Sequence, residues 1–356
     1  MTSILVAVSQ PVFFSLFLLF VLLGLILDLG VLGRSHNKPH VLSFKEALWR
    51  TTAWVVAGLA FSLVIYASYA DTCGLETNRD FATYKNLYGL NFDIQQDLSL
   101  TKQAFSIEVV IQYITGYFIE YSLSIDNLFV IMLIFSSFNV KEDYRKNILI
   151  WGVLGAVIMR FVFIFVGSAL LTEFHWLMYV FGLILLDSGI KLLIKKEDSE
   201  EAMDTEKHPI VKLSRKFLPI ASQDHGGSFF VRENGKLFFS SLFIVLLVIE
   251  FTDVIFAVDS VPAVFGVTHD PYIVFFSNIF AIMGLRSLYF LLNHTLAKIH
   301  TLKYGLSLIL IFIGFKMLFE KWFEAIGFNH IHSLLVLASI IFGTILFAWI
   351  LPKHTE

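Results

Sequence analysis

Cysteine is nearly absent: the 356 residues contain one, Cys73. That excludes an intramolecular disulfide and a thiolate metal cluster. Charge is scarce too, at 15% against 57% apolar residues, with a formal net charge of −3 and a mean hydropathy of +0.75. A soluble fold of this size has nowhere to hide so much apolar surface, so the composition implies an all-α, polytopic membrane protein. A GxGD motif is missing, which removes the usual aspartate setting of an intramembrane protease. Nothing in the composition points to nucleic acid as a partner; lipid is the expected surrounding.

What is abundant is the long apolar run. Stretches able to cross a hydrocarbon core of about 30 Å lie near 11–32, 47–70, 107–138, 148–171, 176–194, 237–267, 272–292, 302–319 and 332–351. These predict about nine transmembrane helices. The first run is too long for a signal-peptide core and has no basic residue before it, so it is expected to remain as a helix. Lysines and arginines give the orientation. With the N-terminus outside and the C-terminus cytoplasmic, 18 of the 26 fall in inner loops and four in outer ones. The expected setting is a bacterial inner membrane.

The chain divides accordingly into two N-terminal helices (1–70), an acidic outer loop (71–106), a first transmembrane unit (107–194), a charged cytoplasmic linker (195–236), a second unit (237–320) and a last helix with its tail (321–356). The outer loop reads as a solvated acidic segment. The linker has eight acids and eight bases and little apolar periodicity; it reads as a flexible connection, with a surface for protein partners.

Two stretches put carboxylates into this apolar background: Glu120–Asn127 (EYSLSIDN) and Glu250–Pro262 (EFTDVIFAVDSVP). Glu120, Asp126 and Asn127 match Asp253, Asp259 and Ser260 at a constant offset of 133. Asn147 leading to Gly152 resembles Asn278 leading to Gly284. Leu183–Leu193 matches Leu308–Leu318 with six identities in eleven, at an offset of 125. Each copy spans three helices. An odd number places the second copy upside down relative to the first, the inverted-repeat plan of secondary transporters, whose site lies near the midplane. Ionisable residues at membrane depth mark ion pathways by default.

The donors are Glu120, Asp126, Asn127, Glu250, Asp253, Asp259 and Ser260, with Ser122, Ser124 and Thr252 in support. All offer hard oxygen, which favours Mg²⁺, Ca²⁺ or Mn²⁺ over Zn²⁺ or Cu⁺. Five clustered carboxylates repel one another, so some should hold protons that a dication displaces; metal/proton exchange is the expectation. The competing reading pairs the acids with Arg160 and Arg286 as structural salt bridges. Asp187, with Lys191 one turn on, reads as a local ion pair. The histidines read as interface or loop residues, with His269-Asp270 a candidate exit gate. Pro262 followed by Gly266 predicts a broken helix in the second stretch, while the first has no proline to break it. An acidic ring also suits a passive cation channel, and a pair of membrane aspartates suits an aspartyl protease; the surplus acids and the repeat favour an exchanger. No enzymatic activity and no permanently bound cofactor are expected.

The segments YSLSIDNLFV, EFTDVIFAVDSVPAVFGVTHDP and SNIFAIMGLRSLYFLL resemble the TerC family of integral membrane proteins. LDLGVLGRSHNK and FFVRENGK place the resemblance nearest its Alx-type branch. The resemblance implies kinship with LysE-type transporters, and an association with manganese export, metal supply to exported enzymes and tellurium resistance. Carried over by motif, it implies Glu120, Asp126 and Asn127, then Glu250, Asp253, Asp259 and Ser260, as metal residues. Manganese comes from the resemblance alone; the residues themselves specify only a hard divalent cation.

Overall fold

The computed structural model describes residues 10–28, 43–174, 176–194, 209–221, 227–233, 236–293 and 302–350. Backbone polar groups in hydrocarbon must be satisfied within their own segment, and the apolar stretches fold as helices. The first half holds α1 (Gln10–Asp28), α2 (Phe44–Thr72), α3 (Asn78–Tyr88), α4 (Leu98–Ser137), α5 (Glu142–Glu173), α6 (Leu177–Ile194) and α7 (Pro209–Phe217). A short antiparallel hairpin follows, β1 (Phe230–Glu233) and β2 (Lys236–Phe239). The rest is α8 (Ser241–Phe265), α9 (Pro271–Met283), α10 (Leu285–Asn293), α11 (Leu302–Leu318), α12 (Glu320–Ala325) and α13 (His330–Ile350).

Among the described residues, α2, α4, α5, α6 and α8 are long and apolar enough to cross a membrane. Helices α9 and α10, bent by 41° at Gly284, form a sixth span if taken together. Three shorter apolar helices, Gln10–Ile26, Tyr304–Leu318 and His330–Thr344, fall on the remaining expected stretches.

Both acidic stretches lie inside unbroken helices, which corrects the expected break. Pro262 sits in the last turn of α8, and Gly266 caps the end with its N–H on the Pro262 carbonyl at 2.9 Å. Pro262 has no N–H for the Val258 carbonyl four residues back, and α8 nonetheless runs on through Phe265. Helix α4 is continuous over 40 residues, about 60 Å at 1.5 Å per residue. Its excess length is at the N-terminal end, where Asp97 caps it by accepting from the Ser99 N–H at 2.8 Å.

The segment 71–106 is more ordered than a solvated loop. Helix α3 opens with a Thr77–Asp80 capping box, and Asp71 pairs with Lys102. Within the linker, α7 packs on α8 with Val211 and Ser214 buried, so that part is docked and not a free connection. Four apolar residues in nine are enough when they share one helix face with Ser214, the charged ones lying opposite.

Helix α4 packs on α9 and α11, and its counterpart α8 packs on α5 and α6. Helices α6 and α11 make the closest backbone approach: a Cβ on Gly314 would meet the Gly182 carbonyl oxygen at 2.7 Å, and one on Gly189 the Ser307 carbonyl oxygen at 3.0 Å. Gly182 against Gly314 and Gly189 against Ser307 is an antiparallel pairing. The 125-residue offset carries the first pair onto the second.

Candidate functional site

Glu120 on α4 is fully buried and ion-paired to Arg160 of α5, itself fully buried. The Ser124 hydroxyl, one turn along α4, donates to Glu120 Oε1 at 3.3 Å. From α8, Asp253 Oδ1 lies 3.9 Å from Arg160 Nη2. From α9, Asn278 Oδ1 accepts from Arg160 Nη1 at 2.6 Å, and its own amide donates to the Val274 carbonyl at 2.9 Å. One guanidinium thus gathers Glu120 and Asp253, the acids that match at the 133-residue offset.

The cluster keeps polar atoms in reserve. Glu120 Oε2, Arg160 Nε and Nη2 and Asp253 Oδ2 are buried without a hydrogen-bond partner, as is Ser260 Oγ two turns beyond Asp253 on α8. An unpaired buried oxygen is costly, and its persistence marks a site built to meet something else. The structural ion-pair reading is thus met in part: Arg160 holds two carboxylates and leaves an oxygen of each unsatisfied.

The other predicted donors are spread out. Glu250 lies against Gly155 of α5, where an added Cβ would fall 2.0 Å from Oε1. Its carboxylate lines a cavity of about 340 Å³ between α5, α7 and α8, otherwise walled by such residues as Met159, Leu213 and Leu247. Asp259 accepts from the Ser188 hydroxyl of α6 at 3.1 Å. Asn127 is buried. Ser122 and Thr252 donate to carbonyls of their own helices, Phe118 and Val248, at 2.7 Å each. The Asp126 side chain lies outside the described residues. Arg286 is buried on α10. Among the described residues, no three acidic, His or Cys side chains come together as a metal cluster; Arg160 stands between Glu120 and Asp253.

His269-Asp270 is not an open gate. Asp270 is buried and caps α9, accepting the Tyr272 N–H at 3.0 Å, the Tyr69 hydroxyl at 2.6 Å and the Tyr84 hydroxyl at 2.7 Å. It ties α2 and α3 to α9. Burial raises its carboxyl above the ordinary range, against the lowering effect of the two tyrosine hydrogen bonds. Asp187 and Lys191 form the expected i,i+4 pair at 2.5 Å, both largely exposed.

Sequence reasoning did not assign Asn278, Ser188 or Gly155 to any site. Asn278 stands in the sequence only as a repeat marker, and a buried amide one helix away from an arginine leaves no local signal.

The family profile described as "Integral membrane protein TerC family" matches residues 105–356. The chain belongs to the TerC family. This TerC chain is 38% identical over 318 residues to "Putative membrane-bound redox modulator Alx" of Photorhabdus laumondii, covering 89% of each. It is 36% identical over 352 residues to the protein of the same name in Escherichia coli K12, covering 98% of each. It is also 33% identical over 321 residues to "Uncharacterized membrane protein RP786" of Rickettsia prowazekii, covering 90% of this chain and 93% of that one. No solved structure matches.

Proposed function

We propose that this TerC protein exports a hard divalent cation, Mn²⁺ foremost, from the cytoplasm in exchange for protons. The observation that carries the reading is the meeting of Glu120 and Asp253 at Arg160, each with one oxygen left over. Both carboxylates belong to equivalent positions of an inverted repeat, where transporters place their substrate site. Arg160 acts as the internal counter-charge. A dication reaching the site competes with the guanidinium for the same oxygens, and Ser260 Oγ, about 10 Å further along α8, offers a later donor. Glu250, facing the cavity beside α7, serves as an earlier station on the cytoplasmic side, and Asp259, Asn127 and Asp126 complete the route. The orientation is N-terminus out and C-terminus in.

A buried guanidinium among the acids disfavours a passive pore, because a permanent positive charge repels each passing dication unless it moves or is exchanged. The Alx relatives are named for redox modulation. Here the single cysteine, Cys73, donates to the Tyr84 hydroxyl at 3.5 Å, and burial pushes its thiol up to about 12. With no second thiol for exchange and little thiolate, a redox effect of this chain is read as a consequence of metal supply. Membrane lipid and the metal are the required partners, with the linker 195–236 a surface for protein contacts.

The test is flux in proteoliposomes, with Mn²⁺ and internal pH followed together. Wild type should move Mn²⁺ and shift the pH, while Glu120→Gln and Asp253→Asn should each lose most of the flux. Absence of Mn²⁺ movement by wild type sinks the export reading; movement without a pH change sinks the proton coupling. In cells, deletion should raise cytoplasmic manganese and Asp259→Asn should fail to restore it.

A further inference from the structure

Helix α7 and the hairpin leave a surface uncovered that is apolar and basic together. Val211 and Ser214 dock α7 on α8, yet Leu213 and Phe217, one turn apart, are each more than half exposed. In its nine residues α7 carries Lys212, Arg215 and Lys216 and no acid. Lys212 and Lys216 are exposed, and the Lys216 ammonium lies 5.6 Å from the centre of the Phe217 ring. On the hairpin, Phe230 and Leu237 are likewise more than half exposed. The register sets Arg232, also exposed, directly opposite Leu237. Side chains alternate along a strand, so Phe230, Arg232 and Leu237 share one face. Lys236 stands opposite Glu233 on the other face and is not counted.

Two hydrogen bonds make these pieces one unit. The Phe239 N–H donates to the Pro219 carbonyl, just past α7, at 2.8 Å, and the Ala221 N–H donates to the Phe239 carbonyl at 2.9 Å. The unit is also fixed at the membrane border. Strand β2 ends at Phe239, and α8, long and apolar enough to cross, begins at Ser241. The rings of Phe230, Phe239 and Phe243 stand 4.8–5.5 Å apart, which holds the hairpin to the first turn of α8. From 209 to 240 the chain has five bases against two acids. Exposed apolar side chains set among bases, on an amphipathic helix beside a spanning one, suit the headgroup layer of a bilayer: the apolar groups enter the acyl boundary and the bases meet anionic headgroups.

We infer that α7 and the hairpin form a docking surface for anionic phospholipid, on the leaflet from which α8 enters. Leu213, Phe217, Phe230 and Leu237 supply the apolar contacts, and Lys212, Lys216 and Arg232 take the phosphates. Lipid is favoured over a soluble acidic protein because a single residue separates the hairpin from α8, so headgroups already surround the surface. Helix α7 also gives Ile210, Leu213 and Ser214 to the wall of the Glu250 cavity, so lipid that holds α7 holds that wall too. In the orientation proposed above the surface faces the cytoplasm, and protein contacts fall to the rest of the linker. The surface does not depend on Mn²⁺ transport.

The experiment is hydrogen–deuterium exchange, read by mass spectrometry, on full-length protein in nanodiscs without added metal. The lipid is phosphatidylcholine alone or phosphatidylcholine with about one third phosphatidylglycerol. Each base near an anionic surface strengthens attachment roughly fivefold, so the amides of α7 and β1 should exchange about tenfold or more slowly when phosphatidylglycerol is present. Salt at about 1 M, which screens charges beyond roughly 3 Å, should remove the difference. So should the triple variant Lys212→Gln, Lys216→Gln, Arg232→Gln at low salt, while Phe217→Ser should reduce it. Equal exchange in the two nanodiscs overturns the lipid surface, as does a difference that survives high salt; the salt arm uses wild type and serves where the triple variant proves unfolded. A difference that survives in a folded triple variant also overturns it. Soluble polyglutamate, standing for an acidic protein, should leave α7 unprotected in phosphatidylcholine; protection equal to that given by phosphatidylglycerol would make this a protein surface instead.

Discussion

Glu120 on α4 and Asp253 on α8, 133 residues apart in sequence, share the guanidinium of Arg160 on α5. Equivalent positions of two motif copies meet at a charge that belongs to one copy only. Removing one member of a buried ion pair costs about 3–5 kcal/mol, because the other charge stays behind without compensation. Arg160→Leu strands two carboxylates, so it should destabilise the protein more than Glu120→Gln, which leaves Arg160 with Asp253 and Asn278. Thermal unfolding in detergent measures both. An Arg160→Leu protein as stable as wild type rules out the ion pairs as they stand.

Gly155 sets the position of Glu250. An added methyl would lie 2.0–2.3 Å from the Glu250 carboxyl group, inside any allowed contact, so the carboxylate must swing away. Gly155→Ala should therefore cut Mn²⁺ flux as deeply as Glu250→Gln does. At Gly152, one turn earlier, the nearest atom to an added Cβ is Ile249 Cγ2 at 3.5 Å, an ordinary contact. Gly152→Ala should be active. Equal flux from both alanine variants would show that the placement of Glu250 is unimportant.

The i,i+4 pair of Asp187 and Lys191 provides the opposite case. Both side chains are mostly solvent- or lipid-facing, at 61% and 74% exposure. An exposed pair contributes at most about 0.5 kcal/mol. Asp187→Asn should melt with wild type and transport Mn²⁺ at the wild-type rate. A large loss of flux would make Asp187 a donor on the route past Asp259, and the local-pair assignment would fall.

The apolar stretches and the repeat were legible because they are local or periodic. Hydropathy shows where helices run, and the recurrence of an acid six residues before an aspartate needs no structure to be seen. The 125-residue offset also relates the two close approaches of α6 and α11, since it carries Gly182 onto Ser307 and Gly189 onto Gly314. What sequence did not reveal is which side chain compensates which. Arg160 is one of two buried arginines among the described residues, and choosing it over Arg286 for Glu120 requires the packing of α4 and α5 together on α8 and α9. The expected break at Pro262 did not occur: α8 runs on to Phe265, and while helix kinks commonly fall at prolines, a proline does not by itself end a helix. Glu108 and His330, 222 residues apart, belong to no repeated motif, and only the packing of α13 on α4 brings them together.

Asp270 gives a pH signature outside the spans. Its folded-state pKa is raised from 3.8, chiefly by burial. A raised carboxyl value means that the folded state holds its proton more tightly than the unfolded chain does. The resulting stability is fully present below about 3.8 and is lost as pH rises through the higher folded-state value. Asp270→Asn keeps an oxygen for the Tyr272 N–H and is an equally good N-cap. Its NH₂ replaces the oxygen that takes the Tyr69 and Tyr84 hydroxyls, so those must accept instead of donate, and asparagine cannot ionise. The variant should lose ground to wild type in acid and gain on it as pH rises. Tyr69→Phe and Tyr84→Phe, which remove donors to the ionised form, should steepen the wild-type decline. Melting temperatures of all four proteins, taken between about pH 4 and pH 8, give the comparison. A difference between wild type and Asp270→Asn that stays constant across that range would mean that Asp270 does not titrate there, and that its buried carboxyl is held in one protonation state throughout.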